Sequence, residues 1–115
     1  MSAATHNITI EQGATFTLNL IWKDSNNTPV NLTGYTARMQ VRHRYSSTDT
    51  LLSLTTENGG ITLGGSAGTI AVVASATETA AISDRAGFYD LELVNAGIVT
   101  RLVQGVVSIT PEVTR

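Results

Sequence analysis

The chain has 115 residues, enough for a single domain that buries a hydrophobic core without covalent crosslinks. It has no cysteine, which excludes disulfides, a thiolate nucleophile and cysteine-ligated zinc, and its formal net charge of -2 argues against a nucleic-acid-binding protein. No apolar run approaches the roughly 20 residues that span a bilayer, and the N-terminus lacks the pattern of an export signal. We therefore expect a soluble protein, without membrane contact, that is made and used without export.

Two strands are predicted in the first 22 residues from the alternation of apolar and polar side chains. Residues 7–11 place Ile8 and Ile10 on one side, and Gln12-Gly13 then breaks the run. Residues 14–22 carry the clearest alternation in the chain, and their apolar face, expected to supply the largest core side chains, consists of Phe16, Leu18, Leu20 and Trp22. Turn-forming residues at 24–29 then reverse the chain or carry it across to another strand.

Residues 30–44 combine a polar turn at 31–34 with a strand whose two faces differ sharply. Alternation sends four side chains to the core face, Tyr35, Ala37, Met39 and Val41. It sends four others to the opposite face, Arg38, Gln40, Arg42 and Arg44. One face therefore packs a core, and the other offers cations.

The middle of the chain predicts short strands and one helix. Residues 50–55 read as a strand, and the glycines after Asn58 accept the positive φ values of a tight turn at 57–60. Residues 61–63 and 69–73 are expected to pair across the glycine-rich loop 64–68. Ser75 and Glu78 fit a capping box, which predicts a short helix over residues 76–83 that crosses an end of the sheets.

The last two strands, residues 87–94 and 98–110, are predicted to be neighbours joined by a turn at 95–97. Simple alternation in the final strand places Val99, Val103, Val107 and Ile109 on one face. It places Leu102 and Val106 on the other, so both faces look partly covered. Either a partner subunit covers the second face, or the strand bridges two sheets or lies under a loop.

Many short strands separated by turns, with one brief helix, predict a single domain over residues 1–115, an all-β, two-sheet antiparallel β-sandwich of immunoglobulin-like architecture. Gly87-x-Tyr89-x-Leu91 resembles the tyrosine corner of such sandwiches. Leu91 stands where antibody domains have a cysteine, so the resemblance is to the architecture only.

The sequence offers no credible catalytic, cofactor or metal site. His6 lies near a terminus that we expect to be frayed, and His43 lies between two arginines that disfavour a bound cation. Asp90 and Glu92 share one strand face, where solvated carboxylates are ordinary, and the hydroxyl groups are scattered as on exposed strands. We expect a non-enzymatic protein without cofactor or metal; an enzyme would need an active site built between subunits.

The residues predicted to form an interaction surface are Arg38, Arg42, Arg44, Leu102 and Val106. A row of guanidinium groups presents planar, bidentate donors, which suit an acidic protein surface. Nucleic acid is a weaker candidate because the row holds no stacking aromatic residue. The alternative is that the arginines pair within the sheet with Asp90, Glu92 or Glu57.

A series of short motifs runs through nearly the whole chain. It consists of Glu11-Gln12-Gly13 before the Phe16 strand, a Trp22 turn, Asn31-Leu32-Thr33-Gly34-Tyr35 before an arginine-bearing strand, Gly68-Thr69-Ile70, Thr77, Tyr89-Asp90-Leu91 and Gly105-Val106-Val107. In this order the motifs resemble small bacteriophage tail and baseplate proteins. They are similar to the N-terminal β-sandwich modules of upper baseplate and receptor-binding-protein adaptors of tailed phages.

The resemblance implies a virion structural protein, made in the cytoplasm of a bacterial host, that acts as a tail, baseplate or neck assembly or adaptor module. Its partners would be other virion proteins and further copies of itself, as a homo-oligomer or in multiple copies. The adaptors continue into a helical or fibre-attaching region, whereas this sequence stops at Arg115, which favours a stand-alone component. The alternative function is a carbohydrate-binding or adhesion module, for which Tyr35 and Tyr45 are the aromatic candidates.

Overall fold

In the computed structural model, which describes residues 3–114, nine strands form two β-sheets. The strands are β1 (Ala4–Thr5), β2 (Ile8–Glu11), β3 (Phe16–Ile21), β4 (Thr36–Arg42), β5 (Leu52–Thr55), β6 (Ile61–Leu63), β7 (Thr69–Ala74), β8 (Ala86–Asn95) and β9 (Ile98–Thr110). A 3-10 turn, Gly65–Ala67, lies between β6 and β7, and a helix, α1 (Ala76–Ala80), lies between β7 and β8.

The strand order confirms the predicted sandwich. The large sheet runs β9-β8-β4-β5, with β1 and β2 both pairing along the free side of β9, and the small sheet runs β3-β7-β6. Lettered as in an immunoglobulin domain, β3, β7 and β6 take the places of strands B, E and D, and β4, β8 and β9 those of C, F and G. The packed sheets therefore have immunoglobulin-like architecture.

One edge of the large sheet holds the parallel pairs of this mostly antiparallel sandwich. β1 and β2 run parallel to β9, with Ala4 opposite Val103 and Ile8 opposite Val107. Two parallel strands must be joined by a long connection. Here the connection between β2 and β9 contains all the other strands of the sandwich, because β1 and β2 come first along the chain and β9 comes last.

The core lies between the sheets and comes from alternating positions of strands in both of them, with three buried hydrophobic residues each from β4, β7, β8 and β9. Met39, Val41 and Leu91 are fully buried there. The expectation that β3 supplies the largest core side chains is wrong, because Phe16, Leu18, Leu20 and Trp22 are only partly buried. β3 is an edge strand of the small sheet, so neighbours cover it on one side only.

The predicted capping box is present at the start of α1. The Glu78 N–H donates to Ser75 Oγ at 3.1 Å, and the Ser75 N–H donates to Glu78 Oε1 at 2.9 Å. The helix ends at Ala80, earlier than the predicted residue 83. Its buried side chain is Thr79, which packs on the turn between β2 and β3 and so places the helix across one end of the sandwich.

The turns predicted at 57–60 and 95–97 are present, although only the first of the two glycines after Asn58 has a positive φ. Gly59 has a φ of 84°, and Asn58 Oδ1 accepts hydrogen bonds from the N–H groups of Thr55 and Gly60. That turn carries the chain from β5 in the large sheet to β6 in the small one. Ala96 and Gly97, with φ of 52° and 81°, form the two-residue turn between β8 and β9, which requires positive φ at both positions.

A bulge in β9 changes which residues of the last strand face the core. Leu91 lies opposite Val103 but Glu92 lies opposite Arg101, so Leu102 is an extra residue and the alternation shifts by one. Val99 therefore points outward and is 48% exposed, and the prediction that it shares a face with Val103 is wrong. The outer face of β9 is not covered by a loop or a second sheet within residues 3–114, so that interpretation of the strand is also wrong.

Tyr89 occupies the predicted corner position but bonds to a different part of the chain. Its hydroxyl donates to the His6 carbonyl at 2.5 Å, between β1 and β2, and burial raises the pKa of the phenol to about 12. The His6 N–H also donates to the Gln104 carbonyl at 2.8 Å. His6 is thus held at both backbone groups, and the expectation of a frayed segment at His6 is wrong.

Candidate interaction surface

The outer face of the large sheet carries charged side chains of three neighbouring strands, β4, β8 and β9. We call it the charged face; it consists of Arg38, Gln40 and Arg42 on β4, Phe88, Asp90 and Glu92 on β8, and Arg101, Gln104 and Val106 on β9. A rigid, hydrogen-bonded sheet with a packed core behind it holds these side chains in register. The charged face can therefore present a fixed pattern of donors and acceptors.

Two ion pairs order the side chains of the charged face. Arg38 Nε lies 2.8 Å from Glu92 Oε1, directly across the β4–β8 pairing, and Arg101 Nε lies 3.4 Å from Asp90 Oδ2. The Arg38–Glu92 contact confirms the interpretation that an arginine of this row pairs within the sheet. Because the Arg38 side chain is 50% exposed, the pair contributes little to stability, on the order of 0–1 kcal/mol.

Arg42 is held by neutral groups. Its Nη1 donates to the Ser47 carbonyl and its Nη2 to Gln40 Oε1, each at 2.8 Å, and it forms no ion pair among the described residues. Its positive charge is therefore available to a partner carboxylate. The bond to Ser47 also ties the loop after β4 back onto the sheet.

The other predicted surface residues are not all brought together. β4 ends at Arg42, so Arg44 lies in the following loop, exposed and off the charged face. Val106 is on the charged face opposite Phe88 and is 41% exposed. Leu102 is the bulge residue and lines a separate groove beside Trp22. Of the five predicted surface residues, Arg38, Arg42 and Val106 share the charged face.

Sequence reasoning did not identify Arg101 as a surface residue, because the bulge at Leu102 changes the face on which it lies. Counted by twos from buried Val103, Arg101 would point into the core. The extra residue at Leu102 turns it outward, where it meets Asp90. A charged residue at an apparent core position of a strand is the signal that could have revealed the irregularity.

A shallow cleft crosses one end of the charged face. Tyr45, in the loop after β4, stacks on Phe88 with ring centroids 4.5 Å apart and planes inclined by 24°, yet the tyrosine remains 82% exposed. The two rings border a cleft of about 380 Å³ whose polar lining includes Arg42, Asp90 and Gln104. The cleft thus combines an exposed aromatic ring with hydrogen-bonding groups of both kinds.

Asp90 lies in this cleft, and its pKa departs from the ordinary value of an aspartate. Partial burial raises the pKa of Asp90, and the neighbouring Glu92 charge raises it further. The cations Arg101, Arg38 and Arg42 act in the opposite direction. The result is a carboxylate that gains a proton more readily than an isolated aspartate.

Within residues 3–114 the structure contains no helix long and apolar enough to cross a bilayer. In the same range, no group of three or more His, Asp or Glu side chains is arranged to hold a metal ion. One contact that the sequence did not suggest joins His43 to Asp84, with Nδ1 2.8 Å from Oδ2. It fixes the loop after β4 against the segment that leads into β8.

No protein-family model matches the chain, and no curated protein shows significant sequence similarity to it.

Proposed function

We propose that the chain is a non-enzymatic structural protein of a bacteriophage virion. In this role it joins or decorates tail, baseplate or neck components through protein–protein contacts. The order of motifs along the sequence, from Glu11-Gln12-Gly13 to Gly105-Val106-Val107, supports the phage context by resemblance. The charged face is the single observation that carries the contact role.

The composition of the charged face suits a protein partner. Arginine is enriched in protein–protein interfaces, where its flat guanidinium group stacks and binds carboxylates with two donors. Three arginines and two carboxylates leave the face with one net positive charge, which resides at Arg42 because the other charges are paired. The complementary partner surface places a carboxylate against Arg42 and polar groups around it.

Purified particles of the bacteriophage that encodes the chain provide the test. We expect mass spectrometry to detect the chain in the particles and the flanking genes to encode tail and baseplate proteins. Changing Arg38 and Arg42 together to Glu should leave the fold intact and lower incorporation about tenfold or more, since like charges then meet the partner carboxylates.

A matched control carries the same change of charge elsewhere. Arg44 and Arg85 are both exposed and lie outside the charged face, so their joint change to Glu should leave incorporation near the wild-type level. Flanking metabolic genes, absence of the chain from purified particles, or equal incorporation of both double variants would overturn the proposal. Circular dichroism of each variant verifies that the comparison is between folded proteins.

A second candidate, a carbohydrate-binding or adhesion module, is favoured by the Tyr45–Phe88 stack. Sugar rings bind with their C–H face on an aromatic ring and their hydroxyl groups on neighbouring donors and acceptors. Tyr45 offers such a ring beside Asp90 and Gln104. Glycan-array binding that is lost in Tyr45→Ala and retained in Tyr45→Phe would support this function, and an array without any bound glycan would reject it.

A further inference from the structure

The small sheet ends in a strand that has a neighbour on one side only. Among residues 3–114, β3 pairs with β7 and with no other strand. In immunoglobulin sandwiches the first strand of the chain can cover this edge, because it pairs with the second strand. Here β1 and β2 pair with β9 in the other sheet instead, so the outer edge of β3 is left open.

The backbone of β3 presents a regular row of hydrogen-bonding groups along that edge. The Trp22 N–H donates to the Gly68 carbonyl at 2.9 Å, so Trp22 points its backbone toward β7. Backbone direction alternates along a strand in an antiparallel pair. The N–H and C=O groups of Thr17, Asn19 and Ile21 therefore point toward the open edge, where another extended strand can bind them.

β3 also lacks the features that usually prevent edge pairing. Charged residues, proline, bulges and short length protect exposed strand edges. β3 has six residues, Phe-Thr-Leu-Asn-Leu-Ile, with no charge, proline or bulge. The other edge strands are shorter, with two residues in β1, three in β6, and four in each of β2 and β5. β3 is thus the strand edge best suited to pairing in the described part of the chain.

The apolar side of β3 has surface left to bury. Phe16, Leu18, Leu20 and Trp22 are all half-buried, and Ile21 on the opposite side is 55% exposed. A groove of about 420 Å³, lined mainly by apolar atoms, runs beside the second half of the strand. Its lining includes Leu20, Trp22 and Leu102. Apolar side chains thus follow the whole length of β3, and the groove lies beside its second half.

We propose that a second copy of this chain pairs with that edge, β3 against β3, about a two-fold axis through Asn19. This arrangement places Thr17 opposite Ile21 and Leu18 opposite Leu20, and it joins the two small sheets into one. Phe16 and Leu18 of each copy then meet the groove of the other, so the contact is self-complementary as two-fold symmetry requires. Neither strand carries a charge, so no like charges meet along the paired strands.

The pairing depends on the backbone and side chains of β3 and not on the charged face. It is therefore independent of the proposed virion role, and either can fail without the other. The test is the self-association of the purified chain, measured by sedimentation equilibrium. We expect a monomer–dimer equilibrium for the wild-type chain, and a chain that stays monomeric at about millimolar concentration would overturn the proposal.

Charge substitutions at Asn19 test the axis directly. In Asn19→Lys two ammonium groups face each other, and we expect the dimer dissociation constant to rise about tenfold or more. Thr62→Lys is the matched control, because it adds the same charge to an exposed position of β6, on the far side of the same sheet. An equimolar mixture of Asn19→Lys and Asn19→Glu should regain dimerisation as a heterodimer.

Equal dissociation constants for wild type and Asn19→Lys, or no heterodimer in the mixture, would refute the two-fold pairing. A disulfide crosslink provides a second test, which remains valid if a charge at Asn19 disturbs folding. The chain has no cysteine, and Cα atoms directly opposite in a hydrogen-bonded pair lie about 5.5 Å apart, within disulfide range. Asn19→Cys should therefore oxidise to a covalent dimer and Thr62→Cys should not; equal crosslinking of both would also refute it.

Discussion

Replacing Thr79 by valine should destabilise the sandwich, because two backbone groups in another part of the chain lose their hydrogen-bond partner. Thr79 is fully buried, and its Oγ1 accepts from the Gly13 N–H at 3.0 Å and donates to the Ala14 carbonyl at 2.8 Å. Valine keeps the shape of the side chain but leaves both groups without this partner. An unsatisfied buried polar group costs about 1–3 kcal/mol. Water can replace part of the loss at exposed Ala14, so we expect a total of about 2–3 kcal/mol.

Thr79→Ser is the matched control, because serine keeps the hydroxyl and removes one buried methyl group, at a cost of about 1 kcal/mol. Urea unfolding, followed by circular dichroism, gives the free energy of unfolding of each variant at equal protein concentration. The expected order of stability is wild type, then Thr79→Ser, then Thr79→Val. A valine variant as stable as the serine variant would refute the reasoning, since packing and not hydrogen bonding would then fix α1 to the turn.

Three further perturbations address the first strand, the buried phenol and the charged face. A Cβ at Gly105 would clash with the His6 carbonyl oxygen, so Gly105→Ala should displace β1 and increase amide hydrogen exchange at His6. Burial raises the pKa of Tyr89 to about 12, so its neutral phenol contributes fully to stability below about pH 10, and the free energy of unfolding falls as the pH rises toward 12. In Tyr89→Phe this alkaline decrease in the free energy of unfolding should be absent. Alanine substitution of Arg38, Glu92 and both should give a coupling energy of about 0.5 kcal/mol in urea unfolding.

Each of these outcomes has a result that would contradict it. Unchanged hydrogen exchange in Gly105→Ala would mean that β1 adjusts without losing its pairing. An alkaline stability loss that persists in Tyr89→Phe would assign the titration to another group. A coupling energy above about 2 kcal/mol would show that the Arg38–Glu92 pair is shielded from solvent, contrary to the exposure of Arg38.

Local patterns predicted most of the fold because local chemistry determines most of it. Alternation located β4 and β8, the capping box of Ser75 located α1, and Asn58 with its glycines located the turn between β5 and β6. β1 escaped prediction because its two residues, Ala4 and Thr5, carry no alternating pattern. Hydrogen bonds to β9, almost 100 positions away in the sequence, make it a strand.

The candidate surface was harder to predict, because the face on which a side chain lies depends on the exact count of residues along its strand. One extra residue at Leu102 reverses the direction of every side chain on the side of the bulge nearer the β8–β9 turn. Arg101 then joins the charged face, and Val99 leaves the core side. Alternation alone cannot reveal a bulge, because it assumes an unbroken register.

The charged face and the edge of β3 lie on different sheets, and this separation bears on how the protein can assemble. The charged face points away from the small sheet, whereas pairing of β3 extends the small sheet within its own plane. A dimer through β3 would thus leave both copies of Arg42 accessible. Two identical charged faces on one rigid dimer bind a repeated partner more tightly than a single charged face does, because the second contact forms at high effective concentration. Self-association through one sheet and recognition through the other are therefore compatible, and each can be tested with the other surface intact.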